Sequence, residues 1–226
     1  MSDITISFIR NSGKYFELVA AITGSIYFYK YKHTPLKYFL FLLWYIVITE
    51  FFSMYARETG TLTFYTDENG IHYTIWFYNL LKFITFNILY YIYFKSLNTD
   101  KFKKRVKIFA FIYVGVFISN WLLIQNFLME RSEIPKIIGS FFLIASIIFY
   151  FIELLKSEKI LVFHKMLLFW ISVGLLLFYA GTIPFTLKYN GYMLIPGIHD
   201  LFLIIYILAI IMYLIFTFGF IWSKKE

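Results

Sequence analysis

A chain of 226 residues that is 61% hydrophobic and 24% aromatic, with a mean hydropathy of +0.72, is too apolar for a soluble globular domain, whose apolar share is typically ~45–50%. A membrane-spanning helix takes ~20 residues, so seven spans use ~140 and leave ~86 for loops and tails, which excludes a fused kinase, cyclase or nucleic-acid-binding module. The formal charge of +8 lies between apolar runs, where Lys and Arg set orientation in the bilayer, and the lack of cysteine removes disulfides, thiolate metal sites and cysteine nucleophiles.

Seven apolar runs bounded by charges predict an all-α, polytopic membrane protein forming one domain over residues 1–226. The runs are too long and continuous for a β-barrel, whose strands alternate in ~10-residue segments. Span one (15–29) follows a polar stretch and carries Glu17 at its outer start. No small-residue cleavage site comes after it, so it is expected to stay in the mature chain. Span two (36–55) bears Glu50 near its outer end. The loop 56–72 contains Glu68-Asn69-Gly70, where Asn-Gly favours a hairpin turn with positive φ; it reads as a lid or as an ordinary solvated loop. Span three (73–94) carries Asn79, Lys82 and Asn87. Span four (108–127) places Asn120 and Gln125 in its outer part, and span five (134–155) ends beside Glu153, expected to reach the interface. Span six (160–185) closes on Gly181-Thr182-Ile183-Pro184, a hinge or a helix terminus, because proline removes a backbone donor. Span seven (198–222) opens with His199 and Asp200, a position where the helix dipole favours an acid.

Fourteen of the 21 Lys and Arg residues fall after spans one, three and five or in the C-terminal tail, and six fall on the other side. This bias predicts an inner-membrane protein with the N-terminus outside and the C-terminus in the cytoplasm. The remaining cation, Lys82, lies inside span three. An unpaired ammonium at that depth costs at least ~2.5–3.5 kcal/mol. Glu50 is the expected counter-charge from the neighbouring span, with Asn79 completing the site on the same helix face. Glu50, Asn79, Lys82, Asn120, His199 and Asp200 are therefore the candidates for an outward-facing ligand or ion pocket. A purely structural role, in which the pair and the asparagines hold helices together, is the competing reading.

Ser25-Ile-Tyr-Phe-Tyr29 matches Ser146-Ile-Ile-Phe-Tyr150, Phe41-Leu-Leu-Trp44 lies over Leu167-Leu-Phe-Trp170, and Ile71-His72 lies over Ile198-His199. These matches suggest parallel repeats, 14–97 and 134–225, joined by helix 108–127, a 3+1+3 build found among small transporters. Chance similarity in so Phe- and Ile-rich a chain is the rival explanation. The layout is similar to that of the SWEET and PQ-loop transporters, although no Pro-Gln dipeptide or paired intrahelical prolines occur. Glu50, Tyr78-Asn79, Phe169-Trp170, Gly181 and Ile198-His199 resemble the marks of seven-helix bacterial integral membrane proteins. That resemblance implies fold and location and no substrate.

Chemistry motifs are scarce. His33 and His164 fall at the cytoplasmic side and His72 and His199 at the outer side, so no three can converge on one zinc ion. Span seven has no lysine before Lys224 to carry a retinal, and no Gly-rich phosphate loop occurs. The expectation is a non-enzymatic protein with no cofactor, no metal and no nucleic-acid partner. Its surroundings are the lipid bilayer and its function is that of a membrane-embedded sensor or binding module that signals through a membrane or cytoplasmic effector. A small-solute or ion transporter is the alternative. The sequence gives no oligomeric state.

Overall fold

The computed structural model describes residues 3–64, 66, 70, 72–187 and 203–225. Seven long α-helices account for most of them: α1 (Asp3–Ile26), α2 (Lys37–Thr59), α3 (Ile75–Ser96), α4 (Asp100–Leu123), α5 (Glu133–Leu155), α6 (Leu167–Leu187) and α7 (Leu203–Trp222). Five of these, α2, α4, α5, α6 and α7, are long and apolar enough to cross a membrane. α1 and α3 have 24 and 22 residues, lengths of about 33–36 Å at 1.5 Å per residue, but are not among those five. The helices bury part of their apolar surface against one another and leave the rest outward. On α4, Phe111, Leu122 and Leu123 expose 68, 69 and 82% of their area, a surface suited to hydrocarbon rather than water.

Local chemistry explains several ends. α2 stops where Gly60 adopts φ +71 and returns its N–H to the Ala56 carbonyl, the left-handed cap that glycine enters without a Cβ penalty. α5 admits Pro135 because it lies in the first turn, where its missing N–H has no intrahelical acceptor to lose. α4 begins at Asp100, but its cap comes from another helix: Glu153 of α5 accepts the backbone N–H groups of Asn98 and Thr99 at 2.8 and 2.7 Å. Glu153 is thus a helix cap and not merely an interfacial charge.

α1, α2, α3, α5, α6 and α7 form a closed ring, each packed on the next and α7 returning to α1, while α4 lies on the outside against α3 and α5. Close approach depends on small residues. A Cβ at Gly139 of α5 would stand 2.9 Å from the Tyr113 ring and 3.0 Å from that of Phe86; at Gly174 of α6 it would stand 2.7 Å from Phe216. Those rings, with Phe39, Tyr90, Tyr93 and Phe220, are nearly fully buried and make the core. Tyrosine hydroxyls in this core find acceptors or donors, Tyr90 on the Gly139 carbonyl and Tyr93 with Ser172.

At the end of the bundle where α7 finishes, Lys30 donates to the carbonyls of Phe220, Ile221 and Ser223 at 3.0, 2.8 and 2.8 Å. An ammonium there complements the negative end of the helix dipole. Lys165 sits 3.8 Å from the Trp222 ring centroid on the same helix end. Nearby, the buried Tyr31 hydroxyl donates to the Gly24 carbonyl, and burial raises its pKa far above the usual phenol value, so it remains a donor.

Several boundaries differ from the expected ones. α4 starts at Asp100, eight residues before the apolar run, because Lys and Arg are good helix formers and only hydropathy stops at Ile108. Residues Glu158–Lys165 form 3-10 turns, so α6 begins at Leu167. It then continues through Pro184 to Leu187, and Pro184 is neither a terminus nor a marked break. The loop between α2 and α3 carries an antiparallel bridge between Thr66 and His72, with Gly70 at φ +77, which agrees with a hairpin; Glu68 and Asn69 lie outside the described residues. The repeat alignment fails in detail: Ser25 lies in the last turn of α1 and Ser146 in the middle of α5, and the Trp44 indole donates to Ser25 whereas that of Trp170 donates to the His164 carbonyl. Helix ends recur instead at 26, 59 and 96 and again at 155, 187 and 222, a spacing of roughly 128 residues.

Candidate functional site

Polar side chains inside the bundle gather at the end occupied by the C-terminus of α2, the N-terminus of α3 and the N-terminus of α5. They fall into two groups, one on each side of α3, because residues 78, 79 and 82 project from two faces of that helix.

Asn79, fully buried, faces the connection between α4 and α5. Its Nδ2 donates to the carbonyls of Phe127 and Glu130, both at 2.8 Å, and its Oδ1 accepts the Ser132 N–H at 3.0 Å. Both amide donors and the carbonyl are engaged, so Asn79 supplies to an irregular backbone the partners it lacks away from water. One turn further, about 10 Å into α3 at 1.5 Å per residue, Lys82 points the same way and meets Glu133 at 4.0 Å. Lys136, one turn along α5, meets the other Glu133 oxygen at 3.9 Å. The three side chains are 22, 19 and 23% exposed. These separations exceed hydrogen-bonding distance, so each contact is an ion pair without a hydrogen bond. Arg131 acts electrostatically on both lysines.

On the other face of α3, the Tyr78 hydroxyl donates to Glu50 Oε2 at 3.1 Å, and Ser53 of α2 donates to Thr74 at 2.8 Å. Glu17 of α1, 6% exposed, accepts the Tyr213 hydroxyl of α7 at 3.3 Å and lies within electrostatic reach of Glu50. Two carboxylates therefore each accept a tyrosine hydroxyl from the neighbouring helix of the ring.

The expected Glu50–Lys82 pair does not form. Tyr78 occupies the face of α3 turned to α2, which leaves Asn79 and Lys82 directed at α5, where Glu133 supplies the counter-charge. Asn79 is drawn into the α4–α5 connection rather than completing a site with Glu50. Asn120, 2% exposed, donates to the Gln125 side chain at 3.0 Å, while its Oδ1 is buried without a hydrogen-bond partner. It stands at the end of α4, apart from the Lys82 contacts. His199 and Asp200 lie outside the described residues.

Glu133 and Lys136 were not among the sequence candidates. Their signal was present, an acid and a base three apart at the start of an apolar run, the spacing that shares one helix face. Among the described residues no three His, Asp or Glu side chains are placed to hold one metal ion. Comparison with family models, curated proteins and solved structures finds none that matches this chain.

Proposed function

We propose that this protein is a non-enzymatic, seven-span inner-membrane protein, N-terminus outside and C-terminus in the cytoplasm, that binds a small anionic solute from the outer side as a sensor. The observation that carries this reading is the open arrangement of Lys82, Glu133 and Lys136. Two ammonium groups are brought to one carboxylate at 4.0 and 3.9 Å, without closing on it, in partly accessible surroundings. A carboxylate or phosphate oxygen could be taken up by the two lysines, with Arg131 adding positive potential. The same residues join α3 to the α4–α5 connection, so an occupied site would shift the balance between helices that carry an effector contact at the opposite end.

Thermal unfolding of the full chain in detergent, titrated with phosphate and with small mono- and dicarboxylates, tests this reading. A saturable rise in melting temperature that disappears in Lys82→Met and Lys136→Met supports it. No rise with any of these anions sinks it.

A transporter is the second reading, favoured by two observations. The ring joins α1–α2–α3 to α5–α6–α7 through the α3/α5 and α7/α1 contacts, and a twofold axis along the bundle would exchange these. α4 lies outside, where a linker between parallel repeats belongs. The buried Glu17 beside Glu50 also resembles the ionisable groups on proton and cation paths. Solute or proton flux in vesicles containing the protein alone, lost in Glu17→Gln, would favour this reading over sensing.

A further inference from the structure

The end of α3 and the first turns of α4 make the most basic part of the chain, with Lys95, Lys101, Lys103, Lys104, Arg105 and Lys107 within thirteen positions and Asp100 the one acid. Two of these cations have structural work elsewhere. Arg105 lies 5.6 Å from the Phe149 ring of α5, and Lys103 faces the Glu153 carboxylate. Lys95 and Lys107 point the other way.

Between the facing stripes of α3 and α4 runs a groove of about 330 Å³, lined by Asn87, Tyr90, Tyr91 and Phe94 on one side and by Val106, Ala110, Phe111 and Val114 on the other. Its walls are almost wholly apolar, and its mouth is cationic. Lys107 lines it, with Nζ 5.9 Å from the Phe111 ring, and Lys95 Nζ lies 5.8 Å from the rings of both Tyr91 and Phe94. Both lysines are exposed, and among the described residues neither has a carboxylate within 4.0 Å. The groove reaches from this basic end toward mid-helix, as an acyl chain extends from its headgroup.

We propose that the α3/α4 groove binds one anionic phospholipid, its acyl chain along the apolar walls and its phosphate between Lys95 and Lys107. Charge complementarity selects this occupant over a zwitterionic lipid, whose own amine would compete for the phosphate. Basic pockets between membrane helices hold anionic headgroups by the same combination of charge and apolar wall. The occupant also accounts for α4, which packs mainly on α3 and α5 and would otherwise rest on the ring by one edge.

The test uses the full chain in micelles, with phosphatidylglycerol as the probe and phosphatidylcholine as the reference, affinity being read by native mass spectrometry. A photoreactive phosphatidylglycerol analogue maps the place of binding. The expected result is preferential retention of phosphatidylglycerol, with cross-links on 87–94 and 106–114. In Lys95→Gln/Lys107→Gln, affinity should fall roughly thirty-fold, from about a fivefold loss at each cation near a headgroup. Lys156→Gln/Lys159→Gln, at another connection, should leave it unchanged. Val114→Trp fills the groove and keeps every charge, and should also abolish retention; Ala110→Leu serves if that variant does not fold. Equal retention of phosphatidylcholine, cross-links outside the two stripes, or affinity undiminished in the lysine variant overturns the proposal.

Discussion

Asn79 accepts the backbone N–H of Ser132 at 3.0 Å, across 53 residues of sequence, while its amide nitrogen holds Phe127 and Glu130 in the same connection. Truncation leaves buried backbone groups without partners, at ~1–3 kcal/mol for each that stays dry. Asn79→Leu should therefore destabilise the protein by at least ~3 kcal/mol, which corresponds to roughly 6–12 °C in melting temperature for a chain of this size. Asn79→Asp should do no better, because it sets a carboxylate against two carbonyl oxygens. Melting curves in detergent check both, and an Asp variant as stable as wild type would refute the clamp.

Lys82 and Glu133 share a contact; Lys82 and Glu50 do not. A double-mutant cycle on Lys82→Met and Glu133→Gln should show a coupling of ~0.5–1 kcal/mol, modest because the groups are about a fifth exposed and 4.0 Å apart. The parallel cycle with Glu50→Gln should be additive to within ~0.3–0.5 kcal/mol. The reverse order of couplings would place the counter-charge on α2 after all.

Lys30 caps the end of α7 with three carbonyl contacts. Lys30→Met removes the ammonium but keeps most of the apolar stem, and should cost ~1–2 kcal/mol. The effect should be local. Trypsin cleavage after Lys224 and Lys225 should accelerate several-fold while the tryptic pattern elsewhere is unchanged apart from the site lost at residue 30; an unaltered tail would mean that the cap contributes nothing.

Gly139 lets α5 approach the rings of Phe86 and Tyr113 to 2.9–3.0 Å of an added Cβ, and its carbonyl takes the Tyr90 hydroxyl. Gly139→Val should overpack this junction by ~1–3 kcal/mol. Combining it with Phe86→Leu should recover part of the loss, since the smaller side chain vacates the volume that the valine enters. If the double variant is less stable than the sum of the single changes predicts, helix separation rather than ring overlap is the cause.

Helical class and the approximate place of every apolar run were legible because both depend on composition counted along the chain. A continuous stretch such as 134–155 must satisfy its backbone internally if it sits in hydrocarbon, and a helix is the local way to do so. α5 accordingly begins and ends within a residue of its apolar run. Ends set by charge or by tertiary capping were not legible in the same way. Nothing in hydropathy carries α4 back to Asp100, where Glu153 of another helix meets the N–H groups of the two residues just before it.

That Lys82 needs a counter-charge followed from the sequence alone, since the cost of burying an ammonium depends on residue type and depth. Which acid answers it did not. Glu50 and Glu133 are both acids on helices that pack against α3, and the choice depends on the rotation of α3 about its own axis. That rotation is set by where Phe86, Tyr90 and Tyr93 find space in the core, with Gly139 admitting the Phe86 ring. It turns Tyr78 toward α2 and Lys82 toward α5. Chain order assigns each helix its residues, but only packing decides which of their faces meet.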